Sequence, residues 1–355
     1  MRPEELASNI NFLLDRSPAF PSGLASAILI ANPTAGGFTR PSYERKRHAE
    51  LEELAAQATA LPARGSSTPL ETRLTEGPGH AGKLARAFIA STREGVANRE
   101  PRLIMTAGGD GTSLEVLSAL MELPPAERDS YLVLRLPFGT GNDGSDGRDL
   151  KASLGRLLVA SRPSPRSAIR VEPNPGGGKP HLWSFNIASL GADAFISDMT
   201  NRLKTVFPGD SYKLWVDVAS VLYDIMWPTW PMKLRAFDAD GNEIRCFDRE
   251  ILIMAFGASG RRQYGSNKSI LPDDDNVCAI NQMSLLRKLG VKGPIQKGAH
   301  RGMKEVELFS AARIVVAYGD RILMQRDGEV TRLSAADFPL EMEIVQDSYR
   351  TLEAL

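Results

Sequence analysis

Short apolar runs alternate with helix-like stretches between about residue 25 and residue 160, and this alternation constrains the fold more than any other feature of the sequence. Three runs have the length and composition of buried strands: 27–31 (AILIA), 102–106 (RLIMT) and 131–136 (YLVLRL). The stretches 43–61 and 112–123 between them have helical patterns. The alternation predicts an α/β domain with a parallel sheet over residues 25–162, preceded by an N-terminal extension at 1–24.

The character of the chain changes after the Arg-Pro-Ser-Pro segment at 162–165. Strand-like patterns then dominate, at 168–172, 182–188, 232–237, 250–256, 313–318, 321–325 and 343–346. A helical stretch at 211–227 interrupts them, and its apolar surface fits a buried core helix, which is favoured, or a contact with acyl chains. The pattern predicts a β-rich, β-sandwich-like second domain over residues 163–355, with its last strands free to return to the first domain.

Charge and cysteine content argue against several classes of protein. Lys and Arg number 43, and Asp and Glu also number 43, so no overall basic field is present to hold a nucleic acid. The two cysteines, Cys246 and Cys278, form neither a disulfide framework nor a zinc motif. No run of about 18 apolar residues predicts a membrane-spanning helix. These features predict a cytoplasmic protein without a nucleic-acid partner.

Two glycine-rich segments each follow a predicted strand, at 108–112 (GGDGT) and 139–143 (GTGND). Glycines let a backbone approach a polyphosphate closely, and the N–H groups at a helix start favour its negative charge. Asp110 then stands where it can meet a metal or a reacting hydroxyl. Taken alone, Gly-Asp-Gly fits an ordinary tight turn equally well. Because ligands bind at the carboxyl ends of parallel strands, two such segments predict one phosphate-binding cleft.

The motifs of the first domain resemble the diacylglycerol kinase catalytic-domain superfamily. This superfamily includes bacterial soluble lipid kinases and sphingosine and ceramide kinases, and it is distantly similar to NAD kinases. The motifs occur in the family's order: 32–37 (NPTAGG), Thr75 with Gly79-His80-Ala81, 108–112 and 139–143. The second domain is similar too, at 186–194, 212–241, Tyr264-Gly265 before Pro272, and 325–329. The resemblance therefore covers nearly the whole chain.

The resemblance implies roles for individual residues. The implied nucleotide-binding residues are Asn32, Thr75, Gly108, Gly109, Gly111, Thr112, Thr140 and Asn142. Glu329 would be the general base that takes the proton from the acceptor hydroxyl, and Asp110 would orient or assist it. Without the resemblance, the segment 326–329 (RDGE) is better interpreted as a hairpin turn.

The resemblance also implies a structural Mg²⁺ at 272–277, with Asp275 and Val277 as its ligands. A solvated acidic turn fits Asp273-Asp274-Asp275 equally well. The sequence departs from the family's pattern at 144–149 and at 265–268. Nearby Arg261 and Arg262 fit a solvated pair better than a contact with phosphate or membrane.

The function implied by the resemblance is an ATP- and Mg²⁺-dependent lipid kinase of phospholipid biosynthesis, which converts diacylglycerol to phosphatidate. Such an enzyme would be cytoplasmic and would contact the inner membrane surface transiently to reach its lipid. Two alternatives stay open: a kinase of a soluble alcohol such as NAD, and a nucleotide-binding regulator without catalysis. The oligomeric state, a homodimer included, also stays open.

Overall fold

The structure is a computed structural model that describes residues 1–63, 70–93, 100–139, 142–204, 223–263 and 269–355. The chain divides into two compact units, the first comprising Met1–Arg166 with Gln346–Leu355 and the second Ser167–Val345. The predicted helix at 211–227 lies outside the described residues except at 223–227, of which 223–226 are helical. No helix within the described ranges is long and apolar enough to cross a bilayer.

The first unit alternates helices and strands. Its helices are α1 (Pro3–Leu14), α2 (Gly36–Thr39), α3 (Pro41–Thr59), α4 (His80–Thr92), α5 (Asp110–Leu120), α6 (Pro125–Arg128) and α7 (Leu150–Leu154). Its strands are β1 (Ser26–Ala31), β2 (Leu70–Leu74), β3 (Arg102–Gly108) and β4 (Tyr131–Pro137). Two strands straddle the boundary between the units, β5 (Ser161–Pro173) and β15 (Leu340–Ala354).

The sheet of the first unit is parallel, in the order β2-β1-β3-β4. Every residue of β3 and of β4 is buried. Such continuous burial is typical of parallel strands, because connecting helices cover the faces of the sheet. The predicted α/β domain with a parallel sheet is confirmed.

The stretch 1–24, predicted as an extension, contains α1 and contributes to the core of the first unit. Leu6, Ile10 and Leu13 lie three or four residues apart and share one helix face, which is buried. Residue exposure there is 1% or less. The helix is therefore an integral part of the first unit.

The second unit is dominated by antiparallel strands. They are β6 (Leu182–Ser184), β7 (Ile187–Gly191), β8 (Pro231–Phe237), β9 (Glu243–Gly257), β10 (Val277–Asn281), β11 (Val306–Phe309), β12 (Arg313–Ala317), β13 (Ile322–Arg326) and β14 (Glu329–Leu333). Two helices of this unit are α8 (Ala192–Lys204) and α9 (Leu285–Gln296). The long β9 pairs with β8 through its first half and with β7 and β10 through its second half. The predicted β-rich second region is confirmed.

A short helical turn, Ala335–Asp337, precedes β15 and is anchored by the carboxylate of Asp337. This carboxylate accepts hydrogen bonds from the N–H and Oγ of Ser334 (2.8 and 2.7 Å) and pairs with the Lys179 ammonium. The Lys179 ammonium and the Ser334 donors lower the pKa of Asp337 to about 2.

Replacing Asp337 by asparagine is expected to lower the melting temperature by a few degrees at about pH 6 and to change it little near pH 2. A carboxylate with a lowered folded-state pKa stabilises the fold above its unfolded pKa of about 4, and this stabilisation is lost as the pH falls toward 2. Thermal unfolding followed by circular dichroism across this range measures the difference. Asp240→Asn, in an exposed turn, is the matched control. A difference that stays constant with pH would contradict the assignment.

Candidate active site

The first glycine-rich segment joins β3 to α5. Gly108 ends the strand, Gly109 precedes the helix, and Asp110, Gly111 and Thr112 form its first turn. A β-carbon added at Gly108 would lie 2.4 Å from Thr112 Oγ1. Only glycine fits there, so the chain can turn tightly from the strand into the helix. The first N–H groups of an α-helix have no partner within the helix itself.

The second glycine-rich segment lies against the first, because β3 and β4 are neighbouring parallel strands. A β-carbon at Gly139 would lie 2.5 Å from the Cα of Gly109 and 3.4 Å from the carbonyl oxygen of Gly108. The N–H of Gly144 donates to Asp110 Oδ1 at 3.0 Å. The two segments that the sequence predicted to share a cleft are thus in contact.

Asn142 has an unusual local environment. Its φ of 55° lies in the left-handed region, which asparagine tolerates better than most residues. Its Oδ1 is buried and has no hydrogen-bond partner within the described part of the chain. A buried acceptor without a donor is costly, so a ligand that donates to it would stabilise the loop. Thr140, predicted beside it, lies outside the described residues.

Two other predicted residues lie at the same edge of the sheet. Asn32 directly follows β1, and its N–H donates to the carbonyl of Ala107 at 2.9 Å. Thr75 directly follows β2, and its N–H donates to the carbonyl of Ala31 at 2.9 Å. The Oδ1 of Asn32 accepts hydrogen bonds from the N–H (3.0 Å) and Oγ1 (2.8 Å) of Thr34. The first-unit candidates within the described residues therefore gather at the carboxyl ends of β1, β2 and β3 and around the start of α5.

Three polar side chains that position these loops were not identified from the sequence. Glu115 of α5 accepts hydrogen bonds from backbone N–H groups at the start of α4, at Gly79 (2.6 Å) and Ala81 (3.0 Å). A negative charge there complements the helix dipole and fixes α4 against α5. No local pattern marks this pairing, because Glu115 is 33 to 36 residues from its partners.

Arg47 is the second of these side chains. Its guanidinium donates to the carbonyls of Gly37 and Pro137, the latter at 2.7 Å, and lies over the ring of Phe138 with Cζ 4.1 Å from the centroid. Burial lowers the pKa of Arg47. The side chain therefore connects the short helix α2, which follows β1, to the end of β4.

Asp146 is the third, and it lies in the segment 144–149 where the family's pattern is not followed. Its Oδ2 accepts from the backbone N–H of Arg135 at 2.7 Å and from Arg135 Nε at 3.4 Å. Both side chains are less than 9% exposed. A buried, hydrogen-bonded ion pair is costly to break, so it fixes the chain that follows the second glycine-rich segment.

In the second unit, Asp327 and Gly328 form the two-residue turn between β13 and β14, with φ values of 50° and 85°. The hairpin interpretation of this segment is therefore correct for the backbone. The carboxylate of Asp327 accepts four hydrogen bonds, from Ser184 Oγ (2.7 Å) and from the N–H groups of Phe185 (2.6 Å), Asn186 (2.9 Å) and Ile187 (3.2 Å). The turn is fixed, and Glu329, the first residue of β14, is exposed beside it.

A buried polar cluster supports the same turn. The N–H of Gly328 donates to Gln325 Oε1 at 2.8 Å, and Gln325 Nε2 donates to Ser189 Oγ at 3.0 Å. Ser189 Oγ in turn donates to the carboxylate of Asp193, near the start of α8. These three side chains are 4% exposed or less. These hydrogen bonds connect the hairpin tip to the start of the helix α8.

Arginines hold the acidic segment at 273–275. Arg301 pairs with Asp273 and donates to Asp275 Oδ2 at 2.6 Å, and Arg261 donates to Asp274 Oδ1 at 2.7 Å. Arg301 lowers the pKa of Asp273, and Arg261 lowers the pKa of Asp274. Each carboxylate already faces a guanidinium.

The predicted metal ligands Asp275 and Val277 fit a cation poorly. Asp275 Oδ1 also accepts from Ser310 Oγ at 3.0 Å, and Val277 is fully buried in β10, paired with β9 and β11. The described residues hold no group of three or more His, Cys, Asp or Glu side chains arranged for a metal. A divalent cation here would have to displace Arg301, so no step of the chemistry is assigned to this segment.

Comparisons with known proteins agree with the motif resemblance, which is confirmed. Residues 26–157 match the family described as the diacylglycerol kinase catalytic domain. A protein of Cronobacter sakazakii described as "Probable lipid kinase YegS-like" is 26% identical over 217 residues, 59% of this chain. The match covers 62% of that relative, which is less than two thirds of its length.

Solved structures from Bacillus anthracis strain Sterne share the fold. One described as a diacylglycerol kinase superimposes with a TM-score of 0.55 at 16% identity, covering 92% of this chain and 96% of that one. A second, whose description as a diacylglycerol kinase is provisional, has a TM-score of 0.60 at 19% identity with the same coverage. The two-part α/β and β-rich architecture is therefore one already known from these proteins.

Proposed function

Starting from a chain whose residues 26–157 match the diacylglycerol kinase catalytic domain, we propose that this protein is a lipid kinase. It transfers the γ-phosphoryl group of ATP, bound with Mg²⁺, to the hydroxyl of diacylglycerol and so forms phosphatidate and ADP. The observation that carries this proposal is the contact between the two glycine-rich segments at the carboxyl ends of β3 and β4. Backbone N–H groups there suit a polyphosphate.

The residues of the first unit have separate roles in this proposal. Gly108, Gly109, Gly111 and Thr112 hold the phosphates at the start of α5, where the helix dipole favours negative charge. Asn142 offers its buried Oδ1 to a donor of the nucleotide. Asn32, Thr75 and Thr140 complete the nucleotide site. Asp110 accepts a hydrogen bond from the N–H of Gly144, and its side chain positions the reacting groups.

Glu329 acts as general base. As the acceptor oxygen forms its bond to the γ-phosphorus, the bond from that phosphorus to the departing ADP oxygen breaks, and the hydroxyl proton passes to the Glu329 carboxylate. An exposed carboxylate at the tip of a fixed hairpin can reach a substrate without rearrangement of the backbone. The protein works in the cytoplasm, in transient contact with the inner membrane surface where diacylglycerol resides.

The test uses the purified full chain with Mg²⁺ and radiolabelled ATP. Phosphatidylcholine vesicles carry diacylglycerol, sphingosine or phosphatidylglycerol, and a separate lipid-free reaction contains NAD. We expect label in phosphatidate, and we expect Asp110→Asn to reduce it by about 100-fold or more, because the side chain lies within the glycine-rich segment, at the start of α5. Asp149→Asn, which keeps its helix-capping acceptor, is the control. Label in NAD alone, or ATP binding without turnover, would overturn the proposal.

A further inference from the structure

Large apolar side chains are concentrated on one part of the surface of the second unit. Eleven large hydrophobic residues are exposed in the described part of the chain, and six of them fall within 225–230 and 285–289. These six, here termed the apolar patch, are Ile225 (74% exposed), Met226 (49%), Trp230 (52%), Leu285 (40%), Leu286 (83%) and Leu289 (50%). Scattered apolar side chains are normal on a protein surface, but such a concentration indicates an interaction site.

Direct contacts join the two segments of the apolar patch. Lys288 Nζ lies 2.5 Å from Asp224 Oδ2, and Gln282 Nε2 donates to Asp224 Oδ1 (3.0 Å) and to Thr229 Oγ1 (2.8 Å). Asp224 directly precedes Ile225 and Thr229 directly precedes Trp230, while Lys288 directly precedes Leu289 of the second segment. The two segments that carry the six side chains are therefore in direct contact.

Part of the helix α9, at 286–289, reverses the usual polarity of a surface helix, although Val291 is buried as usual. It buries Lys288 at 7% exposure, held by Asp224, while Leu286 and Leu289, three residues apart on one face, project into solvent. A surface helix in water normally buries leucine and exposes lysine. This arrangement is expected where the outer face of the helix meets an apolar phase.

The charge around the apolar patch identifies the partner. Residues 285–304 contain six Lys or Arg and no Asp or Glu, in a chain that is neutral overall. Some of these cations pair with acids, Arg287 with Glu305 and Arg301 with Asp273 and Asp275. Lys297 is exposed. Lys288 also pairs with Asp224, and Lys304 with Glu305. The segment 285–304 by itself therefore contributes only positive charge to this part of the chain.

We propose that the apolar patch docks this protein onto an anionic lipid bilayer, with Leu286 and Leu289 inserted at the level of the headgroups. Apolar side chains bordered by cations bind such a surface through burial and through attraction to anionic lipids, and Trp230 suits the interface. A second copy of the chain fits less well, because a symmetric contact would bring the two positive surfaces together. The inference rests on the proposed lipid kinase activity only for its purpose, since docking brings the enzyme to its substrate.

The test is co-sedimentation of the full chain, without nucleotide, with vesicles of phosphatidylcholine alone or mixed with phosphatidylglycerol. We expect binding to the mixed vesicles that weakens with added salt, and we expect Leu286→Gln with Leu289→Gln to weaken it about tenfold or more. The matched control is Ile244→Gln, which removes another exposed side chain of the same unit (40% exposed) and should bind as the wild type does. Equal binding by the double variant, or no binding by the wild type, would overturn the docking proposal. It would also be overturned if the double substitution changed a dimer into a monomer by light scattering and left vesicle binding intact.

Turnover of a short-chain diacylglycerol dispersed without vesicles separates this inference from the proposed function. The double variant should keep wild-type turnover on that substrate and lose turnover on diacylglycerol in vesicles. If the wild type binds vesicles through the apolar patch but phosphorylates no lipid, docking stands and the kinase proposal fails. If short-chain diacylglycerol is phosphorylated while the double variant binds vesicles normally, the kinase proposal stands and docking fails.

Discussion

Glutamine in place of Glu329 is expected to slow phosphoryl transfer to diacylglycerol by about 10²- to 10⁴-fold, the usual contribution of a general base. Glutamine has nearly the same shape as glutamate but cannot accept the proton of the attacking hydroxyl. The preceding turn is held by Asp327 through four hydrogen bonds to the segment 184–187 and should keep its structure. The loss should therefore appear in kcat, with nucleotide affinity unchanged.

Steady-state kinetics with vesicle-borne diacylglycerol, together with a nucleotide-binding titration, measure the two quantities separately. Glu52→Gln removes an exposed carboxylate from α3 and serves as the control for the loss of one negative charge. Normal turnover by Glu329→Gln would mean that Glu329 is not the base. The carboxylates of Asp110 and Asp193 would then be the next candidates, and Asp193 less so because it is 4% exposed.

Alanine in place of Gly139 is expected to lower kcat/KM for ATP by about 100-fold, the effect of a displacement of roughly 1 Å in a positioned site. The added β-carbon would lie 2.5 Å from the Cα of Gly109, whereas carbon atoms in contact are about 3.5 to 4.0 Å apart. The neighbour is backbone and cannot rotate away, so one of the two glycine-rich segments must move. Overpacking of this kind also costs about 1 to 3 kcal/mol of stability.

The matched control for this prediction is Gly77→Ala, in a loop of the same unit. No atom lies within 4 Å of a β-carbon at Gly77, and its φ is not in the left-handed region. This variant should keep wild-type kinetics and melting temperature. Wild-type ATP kinetics in Gly139→Ala would show that contact between the two segments is not needed for the reaction.

The first unit could be predicted in detail because its signals are local. The apolar runs at 27–31, 102–106 and 131–136 correspond to β1, β3 and β4 within one or two residues at each end. A strand that is buried on both faces has apolar side chains at successive positions, so a continuous apolar run in the sequence indicates such a strand. Glycine directly after such a run allows a tight turn that other residues would not, so the positions of the two glycine-rich loops could be predicted as well.

The hairpin at 326–329 could also be predicted from the sequence, because Asp-Gly between two strand patterns specifies a two-residue turn. The contacts that this turn makes with the rest of the unit could not be predicted. The sequence gives no sign that Asp327 would bind the segment 184–187, about 140 residues earlier in the chain. The same is true of Glu115 at the start of α4 and of Arg47 at the end of β4. These side chains hold the site, and they were found only in three dimensions.

The sequence by itself determined the alternation of strands and helices, the two glycine-rich turns and their shared edge of the sheet, because these depend on residue size, backbone freedom and period over a few positions. Only the tertiary structure decided which charges meet: Arg301 pairs with Asp273 and also with Asp275, the carboxylate that was predicted to bind a metal. It also decided that Leu286 faces solvent while Lys288 is buried. Pairing and burial depend on contacts between distant segments, and no local pattern encodes them.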